Sequence, residues 1–159
     1  MRQMTIGPWV IEVDPKATAE LCQRITPWTD ECGCDHCRDW AARRNEIYAP
    51  PIREFLSSLR IDHRRETDVS DSSSEPECHG QFYFVGRILS GPGWTVTHRD
   101  FFGQVSRAPD VTPITDGFSL CIYEPDGGTG EPMATDLDAG VPLVQLQFTT
   151  TRHPHRTDS

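Results

Sequence analysis

Hydrophobic periodicity changes near Gly80, and that change limits the fold more than any single residue does. From about Pro15 to Ile61 the apolar residues recur at helical spacing; from Gly80 onward they recur at strand spacing. Thr18, Leu21, Cys22 and Ile25 stand at i, i+3, i+4 and i+7, which predicts a helix over about 15–25. Asp14 caps it, Pro15 takes its first helical position, and Pro27 ends it. Ile52, Phe55, Leu56 and Leu59 repeat the stripe in a helix opened by Pro50-Pro51. Between these two, a stretch beginning at Cys34 places Cys34, Cys37 and Ala41 on one face and breaks over Asn45 to Ala49.

The strand grammar is equally legible. Trp9 to Val13 has strand composition, and Gln81 to Leu89 is apolar on both faces, as a central strand should be. Gly91-Pro92-Gly93 is read as a turn, with Trp94 to His98 returning as a partner strand. Phe118 to Tyr123 and Val144 to Phe148 add two more, the last alternating with its apolar residues inward and its Gln residues outward. Residues 62–79, rich in Ser and acids, read as a mobile surface connection with at most a short edge strand at Glu66 to Val69. Arg107 to Asp116 and Pro125 to Pro142 read as loops. The expected architecture is α+β: a helical N-terminal third packed on a mostly antiparallel β-sheet, one domain over 1–150, with 151–159 a frayed tail.

Composition narrows the function classes. The chain has 159 residues, enough for a sizeable core without staples, and 36% hydrophobic residues including four Trp and seven Phe. A formal charge of −9 argues against nucleic acid and against acidic membrane surfaces as partners. The first residues lack a signal-peptide apolar stretch, and no apolar run approaches the ~20 residues that span a bilayer, so a cytoplasmic location is expected. Six cysteines in that compartment read as thiols or metal ligands rather than as structural disulfides.

Three of those cysteines crowd into six residues, in Asp30-Glu31-Cys32-Gly33-Cys34-Asp35-His36-Cys37-Arg38. A C-x-C-x-x-C run around a glycine supplies three sides of a tetrahedral zinc site, because zinc takes thiolate sulfur and a helix N-terminus favours thiolates. Cys78, His79, His36 and Cys22, in that order, are the candidates for a fourth ligand. Two other readings stand beside zinc: a redox or thiol-dependent enzyme using Cys34 and Cys37, tuned by His36 and Arg38, and a set of unligated thiols. The redox reading lacks the βαβ surroundings of thioredoxin-like motifs, and Asp30, Glu31 and Asp35 should raise the thiol pKa values. Cys22 and Cys121 lie on apolar stripes and read as core.

Other constellations carry less. His98-Arg99-Asp100 offers an acid/base pair, and Asp126, Glu131, Asp136 and Asp138 offer calcium ligands without the EF-hand spacing. H-E-x-x-H, G-x-S-x-G, Walker and Rossmann patterns and the zinc deaminase signature are all missing, which tilts the chain away from catalysis. Trp28 and Trp40, flanking the cysteines, or an open sheet edge, would suit a protein partner.

Glu31 to Trp40, Phe55 to Asp62, the strand Gln81 to Gly86 and the ending Leu143 to Phe148 together resemble a small uncharacterised bacterial protein family. Its pattern is C-x-C-x-x-C-R near the N-terminus and an aromatic strand ending in Val-Gly. The resemblance spans most of the chain. It implies a single domain and importance for Cys32, Cys34, Cys37 and Arg38, and implies no activity; Cys78 lies outside its pattern.

Overall fold

The computed structural model describes residues 1–71, 77–91, 95–99, 105–108, 112–123 and 141–151. Its chain opens with a hairpin, β1 (Arg2–Ile6) and β2 (Trp9–Val13), in which Ile6 pairs with Trp9 across a two-residue turn. Gly7 takes that turn at a φ of 54°, in the left-handed region glycine enters without strain. Trp9, Ile11 and Val13 are buried on one face of β2, whereas β1 is mostly exposed and offers little apolar signal.

Helix α1 (Pro15–Arg24) starts where the sequence places it. Asp14 Oδ1 accepts the Ala17 N–H at 3.0 Å, and proline opens the first turn. Three short helices follow, α2 (Trp28–Cys32), α3 (Asp35–Ala42) and α4 (Arg44–Ile47), and then α5 (Pro50–Ser58). Two of these, α2 and α4, go beyond the sequence reading: α4 occupies the expected break after α3 as a single turn.

The long strand β4 (Glu77–Ser90) organises the sheet. β3 (Asp68–Asp71) pairs with its first half and β2 with its second, while β9 (Leu143–Thr151) lies along its other side. β8 (Phe118–Tyr123) and β7 (Thr112–Thr115) extend the sheet from β9, giving the order β1-β2-β4-β9-β8-β7 with every pairing antiparallel. The α+β architecture with N-terminal helices is therefore the observed one.

Both faces of the sheet are covered, because successive β4 side chains point to opposite sides. Tyr83 and Val85 pack with Leu143 against Leu21 and Ile25 from the α1 side. Phe82 and Phe84 point the other way, into a core with Val144, Leu146, Phe148, Trp40, Tyr48, Ile52 and Leu56. Gly80 leaves room there for the Phe148 ring, since a Cβ would fall 2.3 Å from Phe148 Cζ. Burying each of the larger side chains contributes about 1.5–3 kcal/mol, so the aromatic cluster around Tyr48 and Phe148 is a main source of stability.

Four expectations need correction. The Gln-out pattern of β9 fails at Gln145, which is buried and whose Oε1 accepts the Tyr83 hydroxyl at 3.2 Å, because α1 covers that face. The strand near residues 94–98 is β5 (Thr95–Arg99), and it pairs with β6 (Val105–Ala108) in a separate two-stranded sheet rather than with β4. The loop expected at Arg107 to Asp116 contains the end of β6 and all of β7, whose hairpin with β8 turns at Gly117 with a φ of 80°. The connection over 62–79 is not a loose surface segment in its described part: Glu66 and Val69 are buried, and β3 and the start of β4 are paired.

The turn at 92–93, most of the excursion from Pro125 to Pro142 and the tail from Arg152 lie outside the described residues. No helix among the described residues is long and apolar enough to cross a membrane.

Candidate metal centre

Gly33 decides how the three cysteines meet. It ends α2 in the left-handed conformation at a φ of 64°, and its N–H returns to Thr29 O at 3.2 Å. The chain thereby passes from one helix to the next within two residues. Cys32 is the last residue of α2, Cys34 is the N-cap of α3, and Cys37 lies in the first turn of α3. The three sulfur atoms lie within 4.8 Å of one another.

Their surroundings differ. Cys32 and Cys34 are exposed and Cys37 is buried. Cys34 Sγ accepts the Cys37 backbone N–H at 3.5 Å, the role an N-cap oxygen plays in most helices. That hydrogen bond, with smaller ones from the Cys32 and Cys37 thiols, brings the Cys34 pKa down to about 7. Cys37 moves the opposite way, to about 12, first through loss of hydration and then through the two neighbouring sulfurs. The helix N-terminus expected to favour both thiolates thus favours Cys34 alone, because burial outweighs it at Cys37. An uncompensated second thiolate is costly here, and a bound cation would remove that cost.

Arg38 frames the exposed side, donating from Nη1 to Gly33 O at 3.1 Å and from Nη2 to Asp35. It holds the turn that carries Cys32 and Cys34. Among the described residues the converging group comprises Cys32, Cys34 and Cys37. His36 sits half-buried with its ring tilted against Trp40 at 6.2 Å. Cys78 is buried in the main core on β4, between Asp71 of β3 and Thr150 of β9. His79, one residue on, has Nδ1 3.2 Å from Thr149 Oγ1. Cys22 is buried with its thiol directed to Arg60 O at 3.8 Å, and Cys121 is buried in β8, both in keeping with a packing role. None of the six cysteines is in a disulfide.

Bonded to the helices that carry the cysteines is a residue that sequence reasoning passed over. Glu66 is fully buried. Its Oε2 accepts the Trp40 indole N–H at 2.8 Å, and its Oε1 accepts from Arg44 Nε at 3.0 Å. Arg44 Nη2 continues to Thr29 Oγ1 at 2.9 Å, and the Glu66 carbonyl receives the Trp28 N–H at 2.9 Å. Burial pushes the Glu66 carboxyl up, while Arg44 opposes that shift. One carboxylate therefore connects α2, α3 and α4. Glu66 itself lies in a Ser- and acid-rich stretch, and its partners are 22 and 26 residues away in sequence, so no local pattern marks it.

Of the remaining candidates, Asp100, Asp126, Glu131, Asp136 and Asp138 lie outside the described residues, and for His98 and Arg99 only the backbone in β5 is described. Of the two flanking tryptophans, Trp40 is buried and Trp28 is exposed. Compared with known protein families, curated proteins and solved structures, the chain shows no significant match.

Proposed function

We propose that this protein binds a thiophilic divalent metal ion, zinc in the first instance, through Cys32, Cys34 and Cys37, and that the ion serves as a structural knuckle rather than a catalytic centre. The observation that carries the reading is the convergence of three sulfurs within 4.8 Å from the end of one helix and the start of the next. Soft thiolates select zinc and related ions over magnesium or calcium. The bound ion would tie the C-terminus of α2 to the N-terminus of α3 and neutralise the thiolates there. A fourth donor would complete the shell. His36, His79 and Cys78 remain the proposed sources, although use of Cys78 would give up its place in the core.

Cobalt substitution tests this. Metal-free, reduced protein titrated with Co(II) should develop a thiolate-to-cobalt charge-transfer band that saturates at one equivalent and is lost in the triple variant Cys32→Ser, Cys34→Ser, Cys37→Ser. A wild-type protein that shows no such band contradicts the reading.

A second reading has its own support, the exposed Cys34 beside Cys37, with the Cys37 N–H on its sulfur. It makes the pair a thiol-based redox couple in a cytoplasmic protein. Formation of a Cys34–Cys37 disulfide under mild oxidation, in a protein that takes up no metal when reduced, would favour it over the knuckle.

A further inference from the structure

We infer that Glu66 is a positioning residue of the metal site: through Arg44, Trp40 and Thr29 it holds α2 and α3 at the spacing that lets the three cysteines chelate one ion. The inference rests on the metal-binding reading above and gives that site its internal support.

The two helices bear their cysteines at adjoining ends, and both are short. α2 has five residues and α3 has eight, so neither is stable without tertiary anchors. Their anchors meet at one carboxylate. On α3, Trp40 follows Cys37 by three residues, on the same side of the helix, and its indole N–H is fixed to Glu66 Oε2. On α2, Thr29 precedes Cys32 by three residues and accepts from Arg44, whose Nε is fixed to Glu66 Oε1. The first residue of α2, Trp28, donates its N–H to the Glu66 carbonyl. Each metal-bearing helix is thus held one turn from its cysteine, to the same buried residue.

An isolated structural ion pair would need only one partner per charge. Here the carboxylate is shared between an indole and a guanidinium, and the guanidinium reaches on to the second helix. Groups behind the ligands of a metal site fix the ligand orientation, and their replacement typically weakens metal binding about 10- to 100-fold. Pre-orientation is especially useful where two of the three sulfurs are exposed and receive little help from packing.

The test is zinc affinity, measured by competition with a chromophoric chelator, in wild type, Glu66→Gln, Thr29→Val and Leu21→Ala. Glu66→Gln removes the charge that orders the network. Thr29→Val keeps the shape of the side chain and removes only the acceptor for Arg44. Leu21→Ala lies on the opposite face of the sheet and lowers stability without touching the network.

The expected result is zinc binding weakened about 10- to 100-fold in Glu66→Gln and by a smaller factor in Thr29→Val, with Leu21→Ala melting at lower temperature but binding zinc like wild type. If Glu66→Gln fails to fold, Thr29→Val decides. Wild-type affinity in the variants that fold overturns the positioning role and leaves the metal site standing. Equal weakening in Leu21→Ala also overturns it, since loss of stability alone would then account for the effect. A wild-type protein that binds no zinc overturns both the site and its support.

Discussion

At the scale of single residues, the three cysteines form an asymmetric donor set, and the asymmetry fixes how metal binding responds to pH. Cys34 ionises at about 7 because a backbone N–H points at its sulfur, whereas Cys37 is held to about 12 by burial and by its neighbours. Metal binding requires thiolates, so between these two values Cys37 must release a proton that the free protein retains. Cys37 should therefore contribute a rise in zinc affinity of about tenfold per pH unit through that window, and Cys34 should add a further proton below pH 7. Isothermal titration in buffers of different ionisation enthalpy counts those protons. A pH-independent affinity between pH 6 and 9 would show that Cys37 is not a ligand.

At the scale of elements, the helices with complete local signals were legible and the shortest elements were not. α1 carries a capping Asp14, a proline at its first position and an apolar stripe, and it forms where these predict. α5 has Pro50-Pro51 and the same stripe. By contrast, α2 and α4 are a few residues long, and the pair β1 and β7 have little apolar alternation, so tertiary pairing rather than local preference forms them. The cysteine site divides in the same way: the C-x-C-x-x-C spacing announced three donors, while the carboxylate that binds their helices is marked only by contacts across 22 and 26 residues. A similar long-range bond docks α1. Thr18 Oγ1 accepts the Val85 N–H of β4 at 3.0 Å and donates to Asp14 O at 2.8 Å. Thr18→Val should leave that buried N–H unsatisfied and cost about 1–3 kcal/mol, read from the urea midpoint. No change in the midpoint would mean that the Val85 N–H has another partner.

For the molecule as a whole, the site and the main core are separable sources of order. The core beneath α3 to α5 is built from Tyr48, Phe82, Phe84, Phe148 and their neighbours, with Leu21 and Ile25 covering the other face of the sheet. Neither cluster contains Cys32, Cys34 or Cys37. The metal is assigned a local task, the junction of α2 and α3, so its loss should loosen that junction while the sheet persists. This is why a cysteine variant makes a clean test: Cys34 is exposed, and its replacement by serine removes a ligand while keeping an N-cap acceptor.

The central claim is that Cys32, Cys34 and Cys37 hold one metal ion, and the most direct measurement is the zinc content of protein purified reduced and without a histidine tag. Atomic emission should find about one zinc per chain in wild type and a marked loss in Cys34→Ser, with the melting of the α2–α3 junction shifted down. Substoichiometric zinc in wild type, together with unchanged stability in Cys34→Ser, would contradict the account.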